Sequence, residues 1–337
     1  MTKLKKILLV LLVIVLSTGC TQYKTYNDKP VSVTSTGQKV VDNILCKTEE
    51  TEKQYNDLKN NYIEDLNVQL QQATITQEEY DTKVNELNEI FNIDDVTYCS
   101  EFKIFEGNDG LWTTLFVKTL AWVIIKIGTF TKNFGWAIIL VTILIRLALY
   151  PVTKKTAMQS ENMKKAQGKL EKLEEKYRNR SDQESQMMKA QEMMKIYKDY
   201  NINPMSGCLF AFIQIPLFFA FYEALYRLPV VLEENFFGIN LGITPSVAFA
   251  NGQYYYIIFI LLVIIATYFS FKLNSSTNPA GEQAKQMKMM SNISIIMISI
   301  ASISISTGIA LYWIVNSTFT IIQNLLVKRS SKNDHIS

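Results

Sequence analysis

The chain has 337 residues, 48% hydrophobic and 19% charged, with a net charge of +3 and a mean hydropathy of +0.06. These averages hide a partition into long uncharged runs and charged segments, which excludes a single soluble core. A charge of +3 spread over this length also provides no extended basic field, which argues against a sequence-specific nucleic-acid binder.

Residues 1–19 read as a signal peptide. A basic MTKLKK start precedes the apolar run Ile7–Leu16, which is shorter than the roughly 20 residues that a bilayer core requires. Ser17-Thr18-Gly19-Cys20 follows. A small residue before a cysteine resembles a bacterial lipoprotein processing site, at which Cys20 becomes the lipid-modified N-terminus. The competing reading is an ordinary signal peptide or anchor with Cys20 incidental.

Residues 20–110 form an acidic segment. From 21 to 110 there are 8 Lys and no Arg against 18 Asp and Glu. Residues 38–92 read as helical, and Thr76 with Glu79 makes a capping box. Cys46 and Cys99 both lie here, in a compartment that permits disulfides; a bridge and two separate thiols are both open. Residues 111–133 are apolar but contain Lys118 and Lys126, eight apart. They read as an amphipathic helix that lies in the outer interface with both Lys on one face.

The first span is expected at 134–152. It contains Arg146, a charge that costs roughly 2.5–3.5 kcal/mol at the centre of a membrane helix. Either Arg146 snorkels to the nearer interface or it faces a polar cavity among helices. Residues 153–203 carry 12 Lys and Arg against 8 Asp and Glu and read as a helical hairpin. Its seams would be Met163, Ala166, Leu170, Leu173 and Tyr177 on one arm and Met187, Ala190, Met194 and Tyr197 on the other, with Ser181 and Glu184 as a capping box. Six of the 12 Met lie in this hairpin; they either fill the seam or offer an adaptable apolar surface.

The second span, 204–227, holds Gln214, Cys208 (read as a packing residue) and the i,i+4 pair Glu223 and Arg227, read as an interfacial ion pair. The loop 228–252 has Glu233 and Glu234 and no Lys or Arg. A third span follows at 253–272 and a basic connection at 273–286. Met289 to Val327 are 39 residues without a charge, about 58 Å as one helix at 1.5 Å per residue. That is too long for one crossing, so a turn near 302–308 divides it into spans at 287–304 and 309–327, before a tail at 328–337. Ser291, Asn292, Ser294, Ser299, Asn316, Ser317, Thr318, Gln323 and Asn324 make these last spans polar, as helix–helix hydrogen bonds or a groove require.

Lys and Arg excess marks the cytoplasmic loops. Residues 20–110 and 228–252 are therefore expected outside, and 153–203, 273–286 and the tail inside. The reading is an all-α polytopic bacterial cell-membrane protein with five transmembrane helices, an outer interfacial helix and a cytoplasmic helical hairpin.

FGWAIILVTILIRLALYPVTKK at 134–155, YNINPMSGCLFAFIQIPLFFAFYEAL at 200–225 and TGIALYWIVNSTFTIIQNLL at 307–326 together resemble the YidC family of membrane protein insertases, in its Gram-positive, lipoprotein-type branch. The resemblance runs from about Leu111 to Val327. It implies that the five helices surround a hydrophilic groove open to the cytoplasm and to lipid. It implies that Arg146 is the groove arginine, that Gln214 lines the groove, and that Tyr312 and Trp313 contact substrate; Asn316 is placed with them. The partners it implies are nascent membrane proteins, the ribosome, the signal recognition particle pathway, the Sec translocon and membrane lipids. Only ten residues follow Val327, where many relatives carry a long basic tail, and residues 21–110 are not part of the family core.

Other classes fit less well. No internal repeat suggests a secondary transporter. The single His, His335, lies in the tail, and no expected span contains Asp, so neither a catalytic constellation nor a metal site is expected. No phosphate-binding Gly loop occurs. No cofactor is expected beyond the covalent lipid on Cys20. A non-catalytic scaffold for membrane complexes is the main rival.

Overall fold

The computed structural model describes residues 22–33, 36–107, 109–203, 206–274 and 281–333, with the side chains at 206–213, 274, 281–287, 290 and 331–333 left outside the description. The expected signal peptide and the expected lipidation site Cys20 lie outside the described residues. The protein is predominantly helical, and two compact units are distinguished. The first comprises 1–141, 216–256 and 306–309; the second comprises 142–215, 257–305 and 310–337.

The first unit begins with a small module. Its chain enters through a two-residue hairpin, β1 (Thr25–Tyr26) and β2 (Lys29–Pro30), turning on Asn27 and Asp28 at φ 50 and 59. Asn and Asp tolerate that conformation because their short polar side chains hydrogen-bond locally. Two helices follow, α1 (Glu49–Gln71) and α2 (Gln77–Ile90), each opened by a capping box, Thr48 with Thr51 and Thr76 with Glu79. Residues 38–48 are not helical; isolated bridges at Lys39, Val41 and Lys47 alternate with bends at Asp42, Asn43 and Leu45. The β-branched residues of that stretch suit a strand better than a helix. Tyr26, Val31, Tyr55, Leu58, Leu87 and Phe91 build the core of the module.

A π-helical turn, Thr113–Lys118, leads into α3 (Thr119–Thr131). The two Lys of this stretch do not share an environment. Lys118 is 6% exposed and paired with Asp109 and the Glu106 carbonyl, whereas Lys126 is exposed. Eight residues at 100° each leave them about 80° apart, and the π turn and the Asp109 carboxylate draw Lys118 inward.

Helix α4 (Phe134–Tyr177) runs 44 residues without interruption through Pro151. The expected end of the first span at 152 is therefore not a helix end: Lys, Ala, Met, Gln, Glu and Leu, all good helix formers, carry the helix onward. Helix α5 (Gln183–Asp199) is capped by Asp182, whose carboxylate accepts from the Ser185 amide, not by the expected Ser181–Glu184 box. On α4 the expected seam holds, with Ala166, Leu173 and Tyr177 buried. On α5 it does not: Met187 and Met194 are 58% and 65% exposed. Polar residues make the contact instead, as Lys189 pairs with Glu174 at 3.0 Å, and Lys176 and the Tyr177 hydroxyl reach Glu192 at 2.6 and 2.9 Å.

Helices α6 (Ser206–Tyr226), α7 (Pro229–Leu232), α8 (Pro245–Ala250), α9 (Ile257–Asn274), α10 (Gly281–Ala301) and α11 (Thr307–Asn333) follow, with a hairpin of β3 (Asn235–Phe236) and β4 (Ile239–Asn240) between α7 and α8. The chain reverses at 302–306, where Ser302 and Ser306 are buried. The start of α11 is seated by Thr307 and Gly308 amides on the Ile243 and Leu241 carbonyls. Among the described residues, four helices are long and apolar enough to cross a membrane: Thr113–Thr131, Phe134–Tyr177, Tyr254–Leu273 and Thr307–Ser330, with a shorter apolar helix at Ser291–Ala301.

Candidate functional site

The second unit contains a buried polar cluster, assembled by α4, α6 and α11. Its centre is Arg146, 2% exposed on α4. Its Nε donates to Asn316 Oδ1 at 2.6 Å and its Nη2 to Gln214 Oε1 at 2.8 Å. Both partners are neutral amides, and among the described residues no carboxylate pairs with Arg146. Tyr312 is fully buried on α11, one turn before Asn316, within electrostatic range of Arg146 and Gln214. Trp313 faces another way, and its indole N–H donates to Thr267 Oγ1 on α9 at 2.9 Å.

The structure thus brings Arg146, Gln214, Tyr312 and Asn316 together and sets Trp313 on the neighbouring face. A second buried contact was not singled out from sequence: Thr153 and Gln323 exchange hydrogen bonds at 2.9 and 3.2 Å. Arg146–Asn316 and Thr153–Gln323 have the same sequence separation, 170. Each helix advances seven residues between them, so α4 and α11 run parallel and in register, with two polar rungs two turns apart. That seven-residue repeat of polar residues, 146/153 and 316/323, was the available signal. Thr320 lies between the rungs and bonds back to the Asn316 carbonyl.

Among the described residues, the guanidinium of this cluster has no neutralising carboxylate. In such surroundings a cation is attracted strongly to any carboxylate that can approach it. Amides hold the fork in place without cancelling its charge.

The family described as 60Kd inner membrane protein matches residues 126–334. The membrane protein insertase YidC of Oceanobacillus iheyensis is 33% identical over 238 residues, covering 68% of this chain and 90% of that protein. The chain belongs to the YidC family. YidC 2 of Bacillus anthracis is 35% identical over 233 residues, covering 68% of this chain and 87% of that one, and MisCA of Bacillus subtilis is 34% identical over 233 residues, covering 68% and 85%. The crystal structure of an active YidC insertase with its first transmembrane domain resolved aligns at a TM-score of 0.47 and 25% identity, covering 74% of this chain and 50% of that one. The matched YidC region contains the whole polar cluster and excludes the N-terminal module.

That module has its own polar joint, within the first unit. Cys46 and Cys99 are disulfide-bonded. Beside them the Leu45 amide donates to the Arg227 carbonyl at 2.8 Å, and Arg227 Nε donates to the Asn43 carbonyl at 2.6 Å. The expected Glu223–Arg227 pair is only a distant one at 3.9 Å; Glu223 Oε1 accepts from the Trp112 indole at 3.1 Å. The hydroxyls of Thr48 and Thr51 donate to the two Glu233 oxygens at 2.8 and 2.7 Å. Burial pushes the Glu233 carboxyl above its ordinary range, against the opposing effect of these two donors.

Proposed function

We propose that the protein is a membrane protein insertase, and that Arg146 receives the acidic tail of a substrate. Its single strongest support is the buried guanidinium that, among the described residues, is held by two neutral amides. The names of the YidC relatives agree with it. In this reading the polar cluster lines a groove among five transmembrane helices, open to the cytoplasm and to lipid. The 20–110 segment lies outside, anchored by lipid on Cys20, and the C-terminus lies inside. A substrate's short polar tail enters the groove, and Arg146 lowers the desolvation cost of its carboxylates. The adjacent apolar segment then partitions into lipid, gaining about 25 cal/mol per Å² of apolar area removed from water. No covalent chemistry is required of any residue. Ribosomes, the signal recognition particle pathway and the Sec translocon are the expected suppliers and partners.

Reconstitution in liposomes free of Sec components tests this. A single-span substrate with a short acidic tail is synthesised and its protease protection scored against protein-free liposomes. Protection above that control is expected, with a loss of roughly tenfold or more for Arg146→Ala, matching the 1.5–3 kcal/mol of a charge-assisted hydrogen bond. A neutral-tailed substrate should lose much less. Equal loss for both tails would sink the role of Arg146. No protection with folded wild-type protein would favour a scaffold for membrane complexes, in which Arg146 serves only packing.

A further inference from the structure

The β3–β4 hairpin pairs Asn235 with Asn240 and Phe236 with Ile239, so its turn consists of Phe237 and Gly238 alone. Their φ angles, 51 and 78, are both positive. That turn geometry selects Asn, Asp or Gly at its first position, because a bulky side chain there strains the backbone. The β1–β2 turn obeys the rule with Asn27 and Asp28. Phe237 breaks it and, although its ring meets Phe236 at 4.6 Å between centroids, it stays 79% exposed, so turn chemistry does not account for a Phe there.

The rest of the hairpin is firmly seated. Phe236 is buried against Gly135 in the first turn of α4, where an added Cβ would come within 2.3 Å of its ring. Asn133 Nδ2 donates to the Asn235 carbonyl at 3.2 Å and the Phe134 amide to Glu234 Oε2 at 2.9 Å. The tip is therefore carried rigidly by the start of a membrane helix. Trp136 meets both rings, at 5.5 and 6.2 Å between centroids. Trp136 and Leu140 are exposed one turn apart on α4, and Leu144 continues the row at the same spacing. Trp at the end of a membrane helix marks the level of the lipid interface. The apolar surface of α4 thus continues through Trp136 onto Phe237, and residues 235–240 carry no charge.

We propose that the Phe237 tip is a lipid-inserting wedge. It sits in the acyl–headgroup boundary of the leaflet where α4 begins, and it sets the depth of the whole 228–252 loop. An exposed apolar row on a helix long and apolar enough to cross a membrane extends onto the tip, which selects lipid over a protein partner.

The full chain is tested in phosphatidylglycerol–phosphatidylcholine vesicles. Phe237 is replaced by the photoreactive p-benzoylphenylalanine, and Glu78, exposed on α2, is replaced in a control. After irradiation, mass spectrometry should show a single-phospholipid adduct at 237 in severalfold excess over 78. Equal adducts at the two sites, or adducts to a second polypeptide in place of lipid, overturn the proposal. Phe237→Trp gives a second reading that needs no bulky label. Acyl-brominated lipids should quench it more than they quench the wild type; no added quenching overturns the wedge.

Discussion

A guanidinium held by two amides differs from one held by a carboxylate in one functional respect: it keeps its charge for something else. Asn316→Asp turns this into a test. The substitution is nearly isosteric, and it places a carboxylate where Asn316 Oδ1 now accepts from Arg146 Nε at 2.6 Å. The resulting ion pair should leave the thermal midpoint in detergent near the wild-type value, since the desolvation cost of the new carboxylate offsets its attraction to the guanidinium. Insertion of acidic-tailed substrates should nevertheless fall by roughly tenfold or more, because the counter-charge is now internal. A variant that inserts such substrates normally would show that the net charge of the cluster is irrelevant. Glu233 poses the reverse problem, a carboxylate that its surroundings push up. The folded state therefore holds this proton more tightly than the unfolded state. Its stabilising contribution is complete below the ordinary carboxylate value of 4.5 and declines as pH rises through the raised folded value. Thermal melts of Glu233→Gln at pH 4 to 8 should lack this part of the decline, with the gain over wild type largest at neutral pH. Parallel wild-type and mutant curves would contradict it.

At the scale of elements, periodicity predicted one arm of the hairpin and failed on the other, for a physical reason. Ala166, Leu173 and Tyr177 on α4 are buried as their apolar spacing requires. On α5 the apolar positions 187, 190 and 194 and the polar positions 185, 189 and 192 have equally helical spacing, so spacing alone does not choose between faces. Lys176 and Glu174 on the facing arm decide it by pairing with Glu192 and Lys189, which one helix read alone does not reveal. Likewise the long uncharged runs exposed the membrane helices, whereas the Thr153–Gln323 rung depends on the register between two helices far apart in sequence. Two consequences are measurable. Replacing Met187 and Met194 by Gln should change hairpin stability by no more than about 0.5 kcal/mol, as surface substitutions do. Tyr177→Ala, which removes a side chain 2% exposed, should cost about 3 kcal/mol. Hydrogen exchange across 160–198 separates the two outcomes, and a large effect of the Met pair would return those residues to the seam.

For the whole molecule, the acidic N-terminal module shows how far composition reaches. Its charge and the capping box at Thr76 and Glu79 were legible, since both depend on local sequence. Its attachment was not, because Arg227 has a plausible partner four residues away in Glu223, and the shorter contact to Asn43 spans 184 residues. The disulfide holds that attachment together. Cys46 follows Leu45, whose amide reaches Arg227, and precedes Thr48, whose hydroxyl reaches Glu233. Opening a link between residues 53 apart restores loop entropy to the unfolded module, worth about 4 kcal/mol in the chain-entropy treatment. The polar cluster around Arg146 lies within the family match, which begins at residue 126, and the module lies outside it. The double variant Cys46→Ser/Cys99→Ser should therefore melt its module at a markedly lower temperature, seen as early trypsin cleavage at Lys53 or Lys59 on α1. Insertion of acidic-tailed substrates into liposomes should stay near the wild-type level while that module is loosened. If insertion collapses together with the module, the module contributes directly to the activity, and the boundary of the functional unit moves from residue 126, where the family match begins, to the disulfide.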